Sequence, residues 1–211
     1  MPTKDESSYR FLTSKQELRE ILGTVNPRAA NKARTELHRY HREWIAASPF
    51  VLVSTSGETG QCDVSPKGDP GGATHIINDR RLAIAERPGN RRGDGFHNIL
   101  DNGHLGLLYI LPGRGETLRV NGRARLLRDA PFFDEMIIKG HRPQIAILVD
   151  IESIFFHCSK AFLRSKLWDP ESWHPDKLPP RSTIAHAMER SDQTLEEVEA
   201  HYGATYGKDL Y

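Results

Sequence analysis

The sequence predicts a mainly β, α+β protein: an antiparallel barrel of short strands with N-terminal, crossover and C-terminal helices. Three observations carry that prediction. Between Phe50 and Cys158, seven or eight short apolar runs are parted by Gly, Pro, Asn and Asp turns. Before Pro49 and beyond Trp173 the apolar residues recur at helical spacing instead. Midway lies Glu86-Arg87-Pro88-Gly89-Asn90-Arg91-Arg92-Gly93-Asp94-Gly95-Phe96-His97-Asn98-Ile99, a Gly-rich basic loop running from a strand into a helix. The chain accordingly divides into a helical extension over 1–48, a barrel over 49–173 and a helical extension over 174–211 packed on the barrel.

Composition narrows the function classes. A formal net charge of +1 argues against a general nucleic-acid or membrane-surface binder. Locally the balance breaks: Arg80 to Arg128 holds ten arginines, no lysine and four acids. Arg without Lys suits planar, bidentate recognition of anions. The two cysteines, Cys62 and Cys158, lack a disulfide or metal pattern and read as buried or incidental thiols in a reducing compartment. The first ten residues are polar, and no run of about 18 apolar residues occurs, so a cytoplasmic protein without membrane contact is expected. With 37% hydrophobic residues the core is lean, and part of the apolar surface is expected to be shared between subunits.

In chain order, Met1 to Tyr9 reads as loosely packed. Ser14-Lys15-Gln16-Glu17 has the form of a capping box opening a short helix that Gly23 ends. Asn26-Pro27 starts a longer helix with Ala30, Ala33, Leu37, Tyr40 and Trp44 on one side, stopped by Pro49. His38 and His41 sit one turn apart, but with no acidic or Cys partner they read as surface residues. Strands follow at Phe50–Thr55, Gln61–Ser65, Ala73–Ile77 and Leu82–Ala85, with Pro66 to Gly72 as a loop. After the basic loop, Asp94 is placed to cap a helix with Phe96, Ile99 and Leu100 on its apolar side and Gly103 at its end. Leu105–Leu111, apolar on both faces, predicts a central strand.

Leu118–Leu127 alternates most cleanly. Leu118, Val120, Ala124 and Leu126 face one way, and Arg119, Asn121, Arg123 and Arg125 the other. That polar face meets water, an anion or a partner; its pattern does not choose between them. Asp129-Ala130-Pro131 opens a helix burying Phe132, Phe133, Met136 and Ile137 and closing at Gly140. Ile145–Ile151 and Ser153–Cys158 read as two further strands. Ser159 to Trp173 mixes basic and aromatic residues without helix or strand periodicity, and Thr183 to His201 is helical with a turn near Ser191-Asp192.

A strand, a Gly-rich basic loop and a helix N-terminus together suit a phosphate. Glycines let backbone N–H groups approach, the helix dipole favours negative charge, and Arg forks add paired hydrogen bonds. The loop matches no dinucleotide or Walker pattern. Its plain alternative is a solvated basic turn.

From about Pro49 to Trp168 the chain resembles the pyridoxamine 5′-phosphate oxidase-like family of FMN-binding split β-barrels. Asp63-Val64-Ser65-Pro66-Lys67-Gly68-Asp69-Pro70 is similar to a strand and loop of one branch, described as probable FMN-dependent enzymes. Arg87 to Arg92 falls where the oxidases carry a phosphate clasp, and His97-Asn98-Ile99 matches the start of the following helix. Leu118-Arg119-Val120-Asn121-Gly122-Arg123-Ala124 resembles their strand ending in Gly and a basic residue. Arg164, Ser165 and Trp168 fall in a late segment that reaches the flavin, usually across a dimer interface. The resemblance thus implies an FMN cofactor, a homodimer with the site at its interface, and contacts from Ser65, Lys67, Arg87, Asn90, Arg91, Arg92, Asn98, Arg119, Asn121, Arg123, Arg164, Ser165 and Trp168. Without the resemblance Trp168 reads as a plain core or interface aromatic, and for Ser65 and Lys67 the alternative to a binding role is a loop that merely turns.

The departures from the oxidases are specific. Pro70 to His75 stands where they have a basic strand, and their C-terminal Arg and His segment is not recognisable after Trp173. Pyridoxal-phosphate chemistry is therefore not implied. The expected activity is an FMN-dependent oxidoreductase of unknown substrate, in which the flavin rather than a protein acid or nucleophile carries the chemistry. The alternatives are a flavin-binding or redox-sensing protein without turnover, and a barrel using a deazaflavin or haem, with His75, His97 or His157 as axial ligand. No metal site is expected.

Overall fold

The computed structural model describes residues 6–208, 210 and 211. The loosely packed stretch expected over Met1–Tyr9 therefore lies outside the described residues as far as residue 5. Two compact units appear, one ending at Ala33 and one running over Arg34–Tyr211. In the first, α1 (Lys15–Leu22) begins as the capping-box reading requires, with the Ser14 hydroxyl accepting from the Glu17 N–H. The Glu17 carboxylate turns back one residue further, to the Thr13 N–H. A second helix, α2 (Pro27–Ala30), is a single turn capped by Asn26.

The long helix expected from Asn26 to Trp44 is thus two helices. Arg34 exchanges backbone hydrogen bonds with Ile154 at 2.9 and 2.8 Å, which pulls the chain out of helix. α3 (Arg39–Ala47) restarts from His38, and His38 N–H donates to His41 Nδ1 at 3.1 Å. His41 is buried, not a surface residue, and burial first, then the neighbouring His38 and Arg34, lower its pKa. The neutral ring this favours is the form that accepts the His38 N–H. α3 places Trp44 and Ile45 in the barrel core, joined by Leu37.

The barrel has seven strands: β1 (Phe50–Ser56), β2 (Cys62–Gly68), β3 (Thr74–Asn78), β4 (Arg81–Ala85), β5 (His104–Ile110), β6 (Thr117–Leu127) and β7 (Ala146–His157). They form one antiparallel sheet in the order β2-β1-β5-β6-β7-β4-β3. The sheet curls until its ends meet. Lys67 of β2 pairs with Glu86 just after β4, and Thr74 of β3 lies 3.0 Å from the hydroxyl of Tyr109 on β5. Val51, Val53, Leu82, Ile84, Leu107, Tyr109, Leu118, Val120, Val149 and Ile154 share the enclosed core. Each such side chain contributes about 1.5–3 kcal/mol by leaving water. This is the antiparallel split β-barrel that the sequence predicts.

Three sequence expectations fail within the sheet and beside it. β2 does not stop at Ser65: it continues through Pro66 to Gly68 against Leu52 to Phe50. β2 is an edge strand, the one place where a proline without an N–H does no harm. The two strands expected between Ile145 and Cys158 are one strand with a bulge, in which Asn121 faces Ser153, Gly122 faces Ile151, and Glu152 is the extra residue. Of the two readings of Cys62 and Cys158, buried or incidental thiols, burial fails: both are exposed.

The bulge explains Gly122. A Cβ there would stand 2.1 Å from the Asp150 carbonyl oxygen, in the middle of the sheet. Gly122→Ala is expected to lower stability by about 1–3 kcal/mol at least, as overpacking against backbone does. An unchanged thermal melting midpoint would show that β6 and β7 part without cost.

Elsewhere, Pro131–Met136 is a 3₁₀ turn, with Phe133 and Met136 buried, Phe132 half-buried and Ile137 exposed rather than buried. The stretch after β7, expected to lack regular structure, begins with a short helix, α5 (Lys160–Ser165). α6 (Arg181–Met188) and α7 (Leu195–His201) pack as a pair through Ala185 and Val198, with the expected turn between them. Among the described residues no helix is long and apolar enough to cross a membrane.

Candidate functional site

The site forms where the edge strand β2 meets α4 (Asp94–Asp101). Alternation along β2 sends Asp63, Ser65 and Lys67 to one face, paired with Thr55, Val53 and Val51 of β1. α4 is fastened over them by two amides. Asn98, buried, donates to Thr55 Oγ1 at 3.0 Å, and Asn102 donates to the Ser56 carbonyl at 2.9 Å. Gly95 permits the close approach, since a Cβ there would lie 3.1 Å from Asp63 Oδ2 and 3.5 Å from Thr55 Oγ1.

Asp94 does not cap this helix. The N-cap is Gly93, in the left-handed region at φ 71°, and no side chain caps the N-terminus. Phe96 and His97 both donate to the Gly93 carbonyl, at 2.9 and 3.0 Å, so the helix begins without using the amides of Asp94 and Gly95. Asp94, at the first helical position, instead holds Arg92 at 2.8 Å. Of the expected apolar side, Ile99 is buried and Phe96 half-buried, while Leu100 is 71% exposed.

Between β2, the basic loop and this N-terminus lies a cavity of about 260 Å³. Val53, Phe96, Ile99 and Ile147 give it an apolar floor; Ser65, Lys67, Asn90 and Arg92 stand at its polar wall. Asp63, Glu86 and Asp94 line it too, and each cation is held by one of these acids. Lys67 pairs with Glu86 and lies 5.3 Å from the centre of the Phe96 ring; Arg92 pairs with Asp94. Ser65 Oγ donates to Asp63 Oδ2 at 2.8 Å, and the Asn90 side chain fixes the loop by accepting from the Arg92 N–H at 3.0 Å. The wall is therefore a ring of exchangeable ion pairs around an uncapped helix end. An anion entering here would take the cations from their carboxylates and gain the two amides.

The structure brings Ser65, Lys67, Asn90 and Arg92 together on this cavity, with Asn98 behind its wall on Thr55. The remaining expected residues lie elsewhere. Arg87 is held by Asp69 Oδ2 at 2.8 Å through Nε and by the Met136 carbonyl at 2.8 Å through Nη2. Arg91, at φ 60°, lines a neighbouring cleft with His141 and Arg142. Arg119 lies 4.5 Å over the Phe155 ring on the outer face of β6, its Nε buried without a hydrogen-bond partner. Asn121 shares that face, and Arg123 contacts His104 and, at 3.8 Å, Glu152. Arg164 and Ser165 close α5, where Ser165 donates to the Phe162 carbonyl at 3.1 Å. Trp168 Nε1 donates to the Arg114 carbonyl at 2.8 Å, in the β5–β6 turn.

Sequence reasoning missed Thr55, Asp63 and Glu86. Asp63 was visible as the next residue in the Ser65–Lys67 alternation. Among the described residues no group of three or more His, Cys, Asp or Glu side chains is placed to hold a metal ion.

Residues 37–158 match the family Pyridoxamine 5′-phosphate oxidase, and the chain belongs to it. No curated protein matches the sequence. Among solved structures, HupZ of Group A Streptococcus is 19% identical, covering 57% of this chain and 93% of its own, with a TM-score of 0.47. General Stress Protein 26 of Bacillus anthracis is 15% identical over 55% of this chain and 88% of its own, with a TM-score of 0.43. A general stress protein 26 relative from Clostridium acetobutylicum, of the pyridoxinephosphate oxidase family, is 17% identical over 56% and 85%, with a TM-score of 0.40.

Proposed function

We propose that this protein is an FMN-dependent oxidoreductase, with a substrate outside pyridoxal-phosphate chemistry, and that the cavity under α4 holds the FMN phosphate. One observation carries the reading: an uncapped helix N-terminus, Lys67 and Arg92 converge on a single cavity. Lys67, Asn90, Arg92 and the first amides of α4 hold the phosphate, with Arg91 in a second row and Ser65 and Asn98 serving the ribityl chain. The flavin, when bound, supplies the electron transfer, so the protein's part is to bind, orient and shield it. The donor set fits: cations, short polar side chains and an apolar floor. Purified protein should show the near-UV and visible bands of an oxidised flavin. A Soret band, or a colourless protein with no affinity for added flavin, would overturn the reading.

The same proposal includes a homodimer with the site at its interface. At about 260 Å³ the cavity falls below the roughly 300–1,000 Å³ of ordinary ligand sites, so one subunit supplies only part of a flavin pocket. Cross-strand pairing lines up Val64, Pro66, Leu52, Leu108, Ile110 and Phe155 on the outer face of the barrel, around Arg119. Val64 is 57% exposed, and Leu52, Leu108, Ile110 and Phe155 are half-buried, an apolar face of the kind a second copy covers. Arg119, Asn121 and Arg123 of that face, and Arg164, Ser165 and Trp168 from the second copy, then complete the site. The protein should elute near twice its 23.9 kDa chain mass. Leu108→Asp is expected to give a monomer with weakened FMN binding; a monomer with full FMN affinity would contradict the shared site.

A further inference from the structure

Beside the cavity lies a second cleft, of about 400 Å³, between Ser65–Asp69 and the 85–90 segment. Tyr211 lines it at the Asp69 end. The Tyr211 hydroxyl donates to Asp69 Oδ1 at 3.1 Å. Its ring lies 5.9 Å from the Arg87 guanidinium, 5.1 Å from the Lys139 ammonium and 6.1 Å from the His141 ring.

Asp69 is 6% exposed and fixed from behind by Arg87, so its outer oxygen is a buried acceptor of defined direction. Desolvation, then the hydrogen bond and charge of Asp69, raise the pKa of the Tyr211 phenol, which keeps the proton that Asp69 needs. Two cations near the ring favour an aromatic occupant over an aliphatic one. A plain void would take any apolar group. This cleft selects a ring that carries a donor.

We propose that the cleft is a binding site for small hydroxyarenes and that Tyr211 is its intramolecular occupant, displaced when such a ligand enters. The proposal does not rest on the flavin reading. Because Ser65, Lys67, Glu86 and Asn90 line both spaces, a ligand in the cleft lies beside whatever the cavity holds.

The test uses p-cresol, the Tyr side chain as a free molecule, with the protein and its Tyr211→Ala and Tyr211→Phe variants, followed by ligand-observed NMR or calorimetry. Tyr211→Ala should bind p-cresol at least about tenfold more tightly than wild type, because the competing side chain is gone. Toluene should bind that variant at least about tenfold more weakly than p-cresol, since it leaves Asp69 without its donor. Tyr211→Phe, which keeps the ring and loses its anchor, should fall between wild type and Ala. Absence of p-cresol binding by a folded Tyr211→Ala protein would overturn the proposal. Equal affinity for toluene and p-cresol would overturn it too, reducing the cleft to a void made by truncation. If Tyr211→Ala does not fold, Tyr211→Phe decides, and p-cresol affinity equal to wild type then counts against the proposal. Binding of p-cresol is read directly, so the result stands whether or not FMN binds.

Discussion

Replacing Lys67 and Arg92 together by alanine is expected to lower FMN affinity by about a hundredfold or more, while riboflavin affinity changes little. Each side chain offers a charge-assisted hydrogen bond to the phosphate, worth about 1.5–3 kcal/mol. Both are already paired, Lys67 with Glu86 and Arg92 with Asp94, so the gain from the anion is a difference between two pairings. That places each contribution at the low end of the range. A second effect acts in the same direction. Without their cations, Glu86 and Asp94 face the incoming phosphate as like charges. The internal pairing makes a reverse prediction that no simple clasp would make: Glu86→Gln frees Lys67 and should raise FMN affinity several-fold. Isothermal titration with both ligands, on variants of unchanged melting midpoint, checks all of this. Equal losses for FMN and riboflavin would mean that the phosphate lies elsewhere.

Arg87→Ala is expected to destabilise the fold by about 3–5 kcal/mol, the cost of leaving one member of a buried ion pair without its partner. The Asp69 side chain is 3% exposed and the Arg87 side chain 14%, so solvent screens this pair little. Arg87 also satisfies the Met136 carbonyl, and its Nη1 is buried without an acceptor. It ties the 85–90 segment to Asp69 after β2 and to the 3₁₀ turn at Pro131–Met136, which makes it a strut behind the site. Urea denaturation of Arg87→Ala should show a lowered midpoint with or without ligand. A wild-type midpoint together with lost FMN binding would restore Arg87 to the phosphate clasp.

Arg87 also marks where sequence reading ends. Its type and neighbours made it a clasp residue, because the carboxylate that claims it lies 18 positions earlier, across the sheet. Local pattern sees neighbours in sequence, not partners across a barrel. Asn90 and Arg92 were legible because a Gly-rich loop entering a helix brings its own polar groups together, whereas Ser65 and Lys67, on β2, came from the resemblance. Trp168, Arg164 and Ser165 were placed by resemblance alone, and within one chain Trp168 docks on the Arg114 carbonyl instead. The fold was more legible than the site. Apolar runs at Phe50–Thr55, Leu82–Ala85 and Leu105–Leu111, and alternation over Leu118–Leu127, marked β1, β4, β5 and β6 to within a residue or two. Misreadings gathered where one local signal met a longer-range constraint. Pro66 spelled a loop yet sits on a sheet edge, and Glu152 looked like a break yet is a bulge. Arg34 lies inside a helical pattern yet pairs with Ile154.

Titration of the wild-type protein with FMN and with riboflavin, under identical conditions, tests the central claim most directly, because the two ligands differ only by the phosphate. The arrangement of Lys67, Arg92 and the α4 N-terminus predicts that FMN binds at least about tenfold more tightly than riboflavin, with the difference shrinking as salt screens the charges. Equal affinities, or a preference for riboflavin, would contradict it.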